Sequence, residues 1–305
     1  MSGQYKTLPP MYNVQLGISP INWINNDMLD LGDEYEIRTV LSDMQKLGFR
    51  GTEMSRKFPE NPVELRNLLA EYKMVLTGAW KTVLFSTGVD FAADFASYQA
   101  HVQSLRQLGS DYVVVCDGGG SLHWDRQPRQ VVAPYDDAAW RSLAEGLHRA
   151  GEYTRQQGMR LAYHPHVGTN VERPEAIERL LAMTDPDLVS IVFDTGHIYA
   201  GGGDPRYILR KYFGRIACVH LKDVRQNALD EMRETGALFI DAVRHGLFTT
   251  PGDGCLDFEA IVTQLRELGY QGWMVIEAEQ NPQLAEPVAY ATAAKTTLEK
   301  LMYTC

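Results

Sequence analysis

The sequence predicts a single (β/α)8 barrel spanning residues 1–305, and three observations lead there. Eight short apolar runs recur along the chain, each followed by a helix-length segment or a long connection. The tight turns that would fold such runs into antiparallel hairpins are missing. Polar, chemistry-bearing residues stand after nearly every run, and no GxGxxG follows the first one, which argues against an open, doubly wound sheet with one switch point.

Taken in order, the first strand is expected over 14–18 and ends in the polar, aromatic loop SPINWINND. Residues 34–47 place Ile37, Val40, Leu41, Met44 and Leu47 on one helical face, and Gly48 is a natural stop. A short strand ends at Gly51-Thr52-Glu53-Met54, ahead of Arg56 and Lys57. Pro62 opens a helix over 62–72, and a third strand follows over 74–80. A helix over 92–108 stops at Gly109, before the valine-rich strand 112–116 and a Gly- and Pro-rich loop containing His123 and Trp124. Asp136 or Asp137 is available to cap a long helix over 137–158. Strand 159–164 ends in HPHVGT, and helix 174–183 leads to strand 188–193. A second apolar run, through Val219, follows a helix-length segment, so 190–223 holds two strands with polar ends. A longer connection passes through PGDG at 251–254, a turn by composition, to helix 258–268, strand 273–276 and a closing helix over 285–302.

Composition narrows the function classes. The chain is 45% hydrophobic and 22% charged, and the absence of a long uncharged apolar run gives no sign of a membrane span. The start, MSGQYKTLPP, lacks the pattern of a secretory signal, so a cytoplasmic location is expected. Cys116, Cys218, Cys255 and Cys305 are widely spaced with no CxxC, as expected of reduced thiols and not of a disulfide framework or thiolate zinc site. A net charge of -10 disfavours nucleic acid as the main partner. Barrels of this size often pair, which makes a homo-oligomer an expectation.

In a barrel, Glu53, Asp117, His164, His166, Asp194, His197, His220, Lys222, Glu277 and Glu279 would gather at one rim. Strand alternation puts His164 with His166, His220 with Lys222, and Glu277 with Glu279 on shared faces. An imidazole or carboxylate turned into a barrel is costly unless it is paired or bound to metal. Asp194, His220 and Glu277, joined by His164 or His166, form a mixed nitrogen–oxygen set. Such a set suits Mn²⁺ or Co²⁺, and also Zn²⁺ or Fe²⁺, better than Ca²⁺ or Mg²⁺. Each residue also has a plainer reading: a strand-end Asp194 can be a helix cap, and Lys222 a salt-bridge partner. Trp23, Trp80 and Trp124 follow strands and could wall a sugar face or simply pack the core.

The motifs LGISPINWINNDM, GTEMSRKFP, YHPHVGT, LVSIVFDTGHIYAGGGDP, RIACVHLKDVR, FTTPGDGCLDF and GYQGWMVIEAEQNP run the length of the chain. In them the sequence resembles the xylose-isomerase-like sugar isomerase/epimerase superfamily and, within it, the inosose dehydratases. The resemblance implies a metal-dependent barrel whose ligands include Asp194 of FDTGH, His220 of CVHLKD and Glu277 of VIEAE; the residue pattern adds His164 as the fourth, with His166 as the alternative. The resemblance further implies a small keto-polyol substrate contacted by His197, while Glu53, Trp23 and Asp223 are substrate-binding candidates from their places after strands. Two departures stand out. The fifth strand ends in YHPH, where isomerases and epimerases of the superfamily commonly present a carboxylate, and CDGGG replaces an SEQG-like segment after the fourth. The implied reaction is elimination of water from an inosose to a trihydroxycyclohexane dione, with His166, Lys222 and Glu279 as acid–base candidates. Isomerisation or epimerisation of a ketose or inosose is the alternative.

Overall fold

The computed structural model describes residues 13–121, 132 and 134–303. The barrel strands are β1 (Val14–Ile18), β2 (Gly51–Glu53), β3 (Val75–Gly78), β4 (Trp80–Val83), β5 (Tyr112–Asp117), β6 (Arg160–Tyr163), β7 (Val189–Asp194) and β8 (Ile216–Leu221). Two short strands follow, β9 (Asp223–Val224) and β10 (Phe248–Thr249), and then the last barrel strand, β11 (Gly272–Ile276). All pairings in the nine-stranded sheet are parallel, in the order β3-β2-β1-β11-β8-β7-β6-β5-β4. Only Ala79 separates β3, which pairs with β2, from β4, which pairs with β5. The two halves act as one stave, and the expected strand over 74–80 becomes a longer one broken in its middle. Eight staves result, and the sheet is a nearly closed barrel.

The helices expected from periodicity are present with ends moved by a few residues: α1 (Ile37–Lys46), α2 (Pro62–Glu71), α3 (Phe91–Leu108), α4 (Asp137–Gln156) and α5 (Pro174–Met183). Their starts follow the chemistry of the orphan N–H groups. Asn61 accepts from Val63 and Glu64 ahead of Pro62, and Asp136, not Asp137, caps α4 through Ala139. The segment between β7 and β8 holds two short helices, α6 (Thr195–Ala200) and α7 (Pro205–Tyr212), in place of one. The long connection after Asp223 folds into α8 (Gln226–Thr235) and α9 (Phe239–Arg244), and β9 and β10 pair antiparallel, a feature not foreseen from the sequence. The chain closes with α10 (Phe258–Glu267) and α11 (Pro287–Tyr303). No helix among the described residues is long and apolar enough to cross a membrane.

Side chains on the outer face of the staves join the helices in the main core, with Ile18, Leu76, Val113, Leu161, Phe193 and Val219 all buried there. The inner face is a separate, smaller cluster of Tyr112, Val114, Ala162, Val192 and Cys218, with Trp273 against it. Two glycines make room for its large rings. A Cβ on Gly51 would stand 2.4 Å from the Trp273 ring, and one on Gly78 would stand 2.3 Å from the Tyr112 ring. Stepping two residues from this inner layer toward the carboxyl ends leads from Ala162 to His164, from Val192 to Asp194 and from Cys218 to His220. The period of two therefore delivers the polar groups to the barrel mouth.

Candidate metal centre

Register brings the strand ends together. Asp194 lies opposite His220 across β7 and β8, the Glu277 N–H donates to the Leu221 carbonyl at 3.2 Å, and the His164 N–H donates to the Val115 carbonyl at 2.7 Å. His164, Asp194, His220 and Glu277 each offer one ligand atom, and these atoms lie within 4.8 Å of one another. A second group, His166, His197 and Glu279, meets the same condition beside it.

The outward hydrogen bonds decide what the first group presents inward. A carbonyl only accepts, so His164 Nδ1, 2.8 Å from the Pro165 carbonyl, carries the proton, and Nε2 is the acceptor nitrogen. That Nε2 stands 3.3 Å from Asp194 Oδ2. Likewise His220 Nε2 donates to Glu53 Oε1 at 2.9 Å, which turns Nδ1 toward Glu277 Oε2 at 3.0 Å and Asp194 Oδ2 at 3.7 Å. Asp194 divides its work. Oδ1 caps α6 by accepting from the His197 N–H at 2.8 Å, while Oδ2 faces the cluster. Asp194 Oδ2, His220 Nδ1 and Glu277 Oε2 are buried and make no hydrogen bond. Acceptors gathered face to face, with their donors turned away, fit a bound cation.

Charge supports the same fit. Burial alone would raise the carboxyls of Asp194, Glu277 and Glu279, but the Lys222 ammonium outweighs it, together with His220 at Glu277, so all three are held below the usual range. Lys222 Nζ lies 3.5 Å from Asp194, 3.1 Å from Glu277 and 3.0 Å from Glu279, over the Phe248 ring, and against burial those carboxylates raise its pKa. Three carboxylates and one ammonium leave two negative charges, the complement of a divalent ion. Burial disfavours a charged His220, yet Glu53 and Glu277 raise its pKa well above the ordinary value; a metal would take the place of that proton.

The second group is built differently. The Val167 N–H donates to His197 Nδ1 at 3.2 Å, so the neutral ring carries its proton on Nε2, which faces Glu279 Oε2 at 3.6 Å. Burial, reinforced by Lys222, pushes His197 down to about 4 and keeps it neutral. His166 has the opposite tautomer: Nδ1 donates to the Val167 carbonyl at 2.8 Å, and Nε2 is the acceptor. The two rings lie with centroids 3.8 Å apart. Glu279 reaches this place through a left-handed backbone, φ 43°, unusual for a residue with a Cβ.

A cavity of about 100 Å³ opens on both groups, lined by Ile21, Asn26, Asp27, Trp80, His164, His166, His197, Glu277 and Glu279. It adjoins another of about 240 Å³ that shares Asn26, Trp80 and Glu277 and is bordered by Glu53 and His220. The roomier groove between α7 and α10, about 500 Å³, is lined by Arg206, Arg210, Asp257 and Glu259 among others, none of them histidine, and offers no comparable chemistry.

Two of the substrate-binding expectations receive other roles. Trp23 is fully buried in the main core, and Trp80 is the tryptophan that borders both cavities. Asp223 has both oxygens engaged by backbone: Oδ1 accepts from Val224 and Leu256, Oδ2 from Gly252 and Gly254, which fastens the PGDG turn to β9. Strand alternation ends at Lys222, so Asp223 leaves the barrel face. Glu53 borders the outer cavity but spends one oxygen holding His220. Trp124 and His123 lie outside the described residues. Asp117 is an anchor, accepting from Ser86, Gly119 and Tyr135. Sequence reasoning passed over Asn22, whose side chain accepts from the Ala278 N–H at 2.7 Å and donates to the Ile276 carbonyl at 3.1 Å, pinning the backbone on both sides of Glu277. Its place in the loop after the first strand was the available signal.

Comparison with known proteins agrees with this architecture. The family model described as Xylose isomerase-like TIM barrel matches residues 41–300. The chain is 42% identical to an inosose dehydratase of Geobacillus kaustophilus over 98% of its own length and 97% of that protein. It is 38% identical to an inosose dehydratase of Lacticaseibacillus casei over 95% of this chain and 97% of that one. Among solved structures, the IolI protein with a bound zinc atom superposes with a TM-score of 0.70 at 16% identity, covering 94% of this chain and 98% of that one. The probable 3-DHS dehydratase AsbF of Bacillus anthracis gives 0.71 at 14%, covering 93% and 98%. With its parallel staves, its strand-end site and a family match over most of its length, this chain belongs to the xylose isomerase-like TIM barrel family.

Proposed function

We propose that this chain dehydrates an inosose, 2-keto-myo-inositol, to a trihydroxycyclohexane dione, using one divalent metal held by His164, Asp194, His220 and Glu277. The observation that carries the reading is the convergence of those four acceptors with their N–H groups turned outward. The curated relatives named inosose dehydratase match nearly the full chain and support the reaction class, a carbon–oxygen lyase. A divalent metal bound there would polarise the ketone oxygen and stabilise the negative charge that develops on it.

The protein's own groups would handle the protons. His166, whose Nε2 is an acceptor on the cavity wall, removes the proton from the carbon beside the ketone. The electrons left behind form an enolate. As the carbonyl re-forms they pass to the bond toward the next carbon, whose C–O bond breaks. The departing hydroxyl takes a proton and leaves as water, and His197 Nε2–H is the donor that faces the cavity. The remaining enol rearranges to the second ketone. Glu279, ionised beside Lys222 and 3.6 Å from His197 Nε2, orients that donor. Lys222 is a fixed charge and not a base, since its carboxylate neighbours keep it protonated. Trp80, which lines this cavity, would pack against the apolar side of the polyol.

The test is incubation of metal-loaded protein with the inosose while dione absorbance and solvent-proton exchange at the α carbon are followed. Dione formation is expected. Exchange without dione would move the activity to isomerisation or epimerisation, which shares the first proton transfer.

A further inference from the structure

Two cation-seeking groups of side chains stand side by side at the barrel mouth, and the ammonium of Lys222 lies between them. Its contacts are Asp194 Oδ2, Glu277 Oε2 and Glu279 Oε2, at 3.5, 3.1 and 3.0 Å. The first two of these oxygens are also the oxygens offered by the first group, and the third belongs to the second group. In a two-metal site, carboxylates would bridge neighbouring ions in this way. Here one neighbour is a side chain.

The fold makes deliberate room for it. A Cβ on Gly196 would stand 2.2 Å from Lys222 Cγ, so only glycine lets the stem pass α6. Thr195 Oγ1 donates to the Lys222 carbonyl at 2.7 Å and accepts from its N–H at 3.1 Å, which fixes the backbone. The ammonium then sits 4.7 Å above the Phe248 ring, fully buried. Asp194 Oδ2, completely buried and without a hydrogen bond, points at both positions.

We propose that Lys222 occupies the position of a second cation and so limits this centre to one divalent ion. The inference rests on the metal reading above and deepens it. Without the ammonium, three carboxylate oxygens are left around the vacated position, an oxygen-rich set suited to Mn²⁺. His197 does not join them, because its Nε2 carries a proton.

The experiment counts metal without substrate. Wild type, Lys222→Met and Lys222→Arg are saturated with Mn²⁺, and ions per chain are read by native mass spectrometry, with folding checked by circular dichroism. One ion is expected in wild type and in Lys222→Arg, which keeps a cation, and two in Lys222→Met. A single ion in folded, saturated Lys222→Met overturns the inference and leaves the proposed function standing. Two ions in wild type also overturn it, whereas none in wild type sinks both readings. If Lys222→Met does not fold, Gly196→Ala is counted in its place, since its Cβ displaces the lysine stem; two ions are expected there and one would overturn the inference. Anomalous diffraction at the manganese edge on wild-type crystals gives an independent count, with one peak expected and two overturning the proposal.

Discussion

The two histidine–carboxylate groups at the barrel mouth lie two residues apart in sequence at two places, His164 with His166 and Glu277 with Glu279, and three apart at Asp194 with His197. They differ in where their protons point. In the first group, carbonyl and carboxylate partners outside the cluster take the N–H groups, and acceptors face one another. In the second, a backbone N–H occupies His197 Nδ1, so one ring presents a donor and its neighbour an acceptor. In the proposed function, the same residue types would therefore make a cation cage in one place and a proton-handling pair in the next. The partners of the ring nitrogens, Glu53 at His220 and the Val167 N–H at His197, and not the ring identity, separate the two groups.

The sharpest way to break this contrast is Asp194→Asn. An asparagine oxygen can still cap α6, but the charge facing the cage is gone, so bound metal should fall to background and activity by about 10²-fold or more. Retention of stoichiometric metal would sink the assignment. His197→Asn should do the reverse, leaving metal content unchanged while kcat drops by about 10²-fold. Loss of metal in that variant would merge the two groups into one. Glu53→Ala strips the partner from His220 Nε2 and should weaken metal binding by about 10–100-fold, measured by competition with a chelator.

Smaller effects test the frame that holds both groups. Gly51→Ala pushes a methyl into the Trp273 ring and should lower stability by about 1–3 kcal/mol in urea unfolding, with the ligands themselves untouched. The mildest effect lies outside the mouth, at His101 on α3. Burial, aided by Lys81, lowers its pKa from 6.5 to about 4. The unfolded chain then binds a proton that the folded one refuses between those values, so stability falls as pH drops from 6.5 toward 4. His101→Leu should flatten that part of the profile; an unchanged slope would remove His101 as its source.

Much of this was legible in the sequence for a mechanical reason. A buried parallel strand writes itself as an apolar run, and its period of two carries inward-facing positions to the rim, which is how His164, Asp194 and His220 could be grouped before any coordinates. The same rule failed one residue after Lys222, because the chain leaves the barrel there to form β9 and Asp223 turns to the backbone of 252–256. Trp23 was misread because the loop after β1 folds back on itself. Gly32, at φ 78°, closes against the Trp23 carbonyl and commits the indole to the core. Tautomers lay beyond sequence altogether, since they depend on which carbonyl or N–H the fold brings within 3 Å or so of each ring.

The aromatic plug of Tyr112 and Trp273, seated on the small gaps left by Gly78 and Gly51, has a consequence for traffic. It fills the barrel interior beneath the candidate metal site with aromatic rings. Among the described residues, Trp80 and Asn26 border both cavities beside the strand-end groups, so in the proposed reaction substrate, released water and product would all pass them.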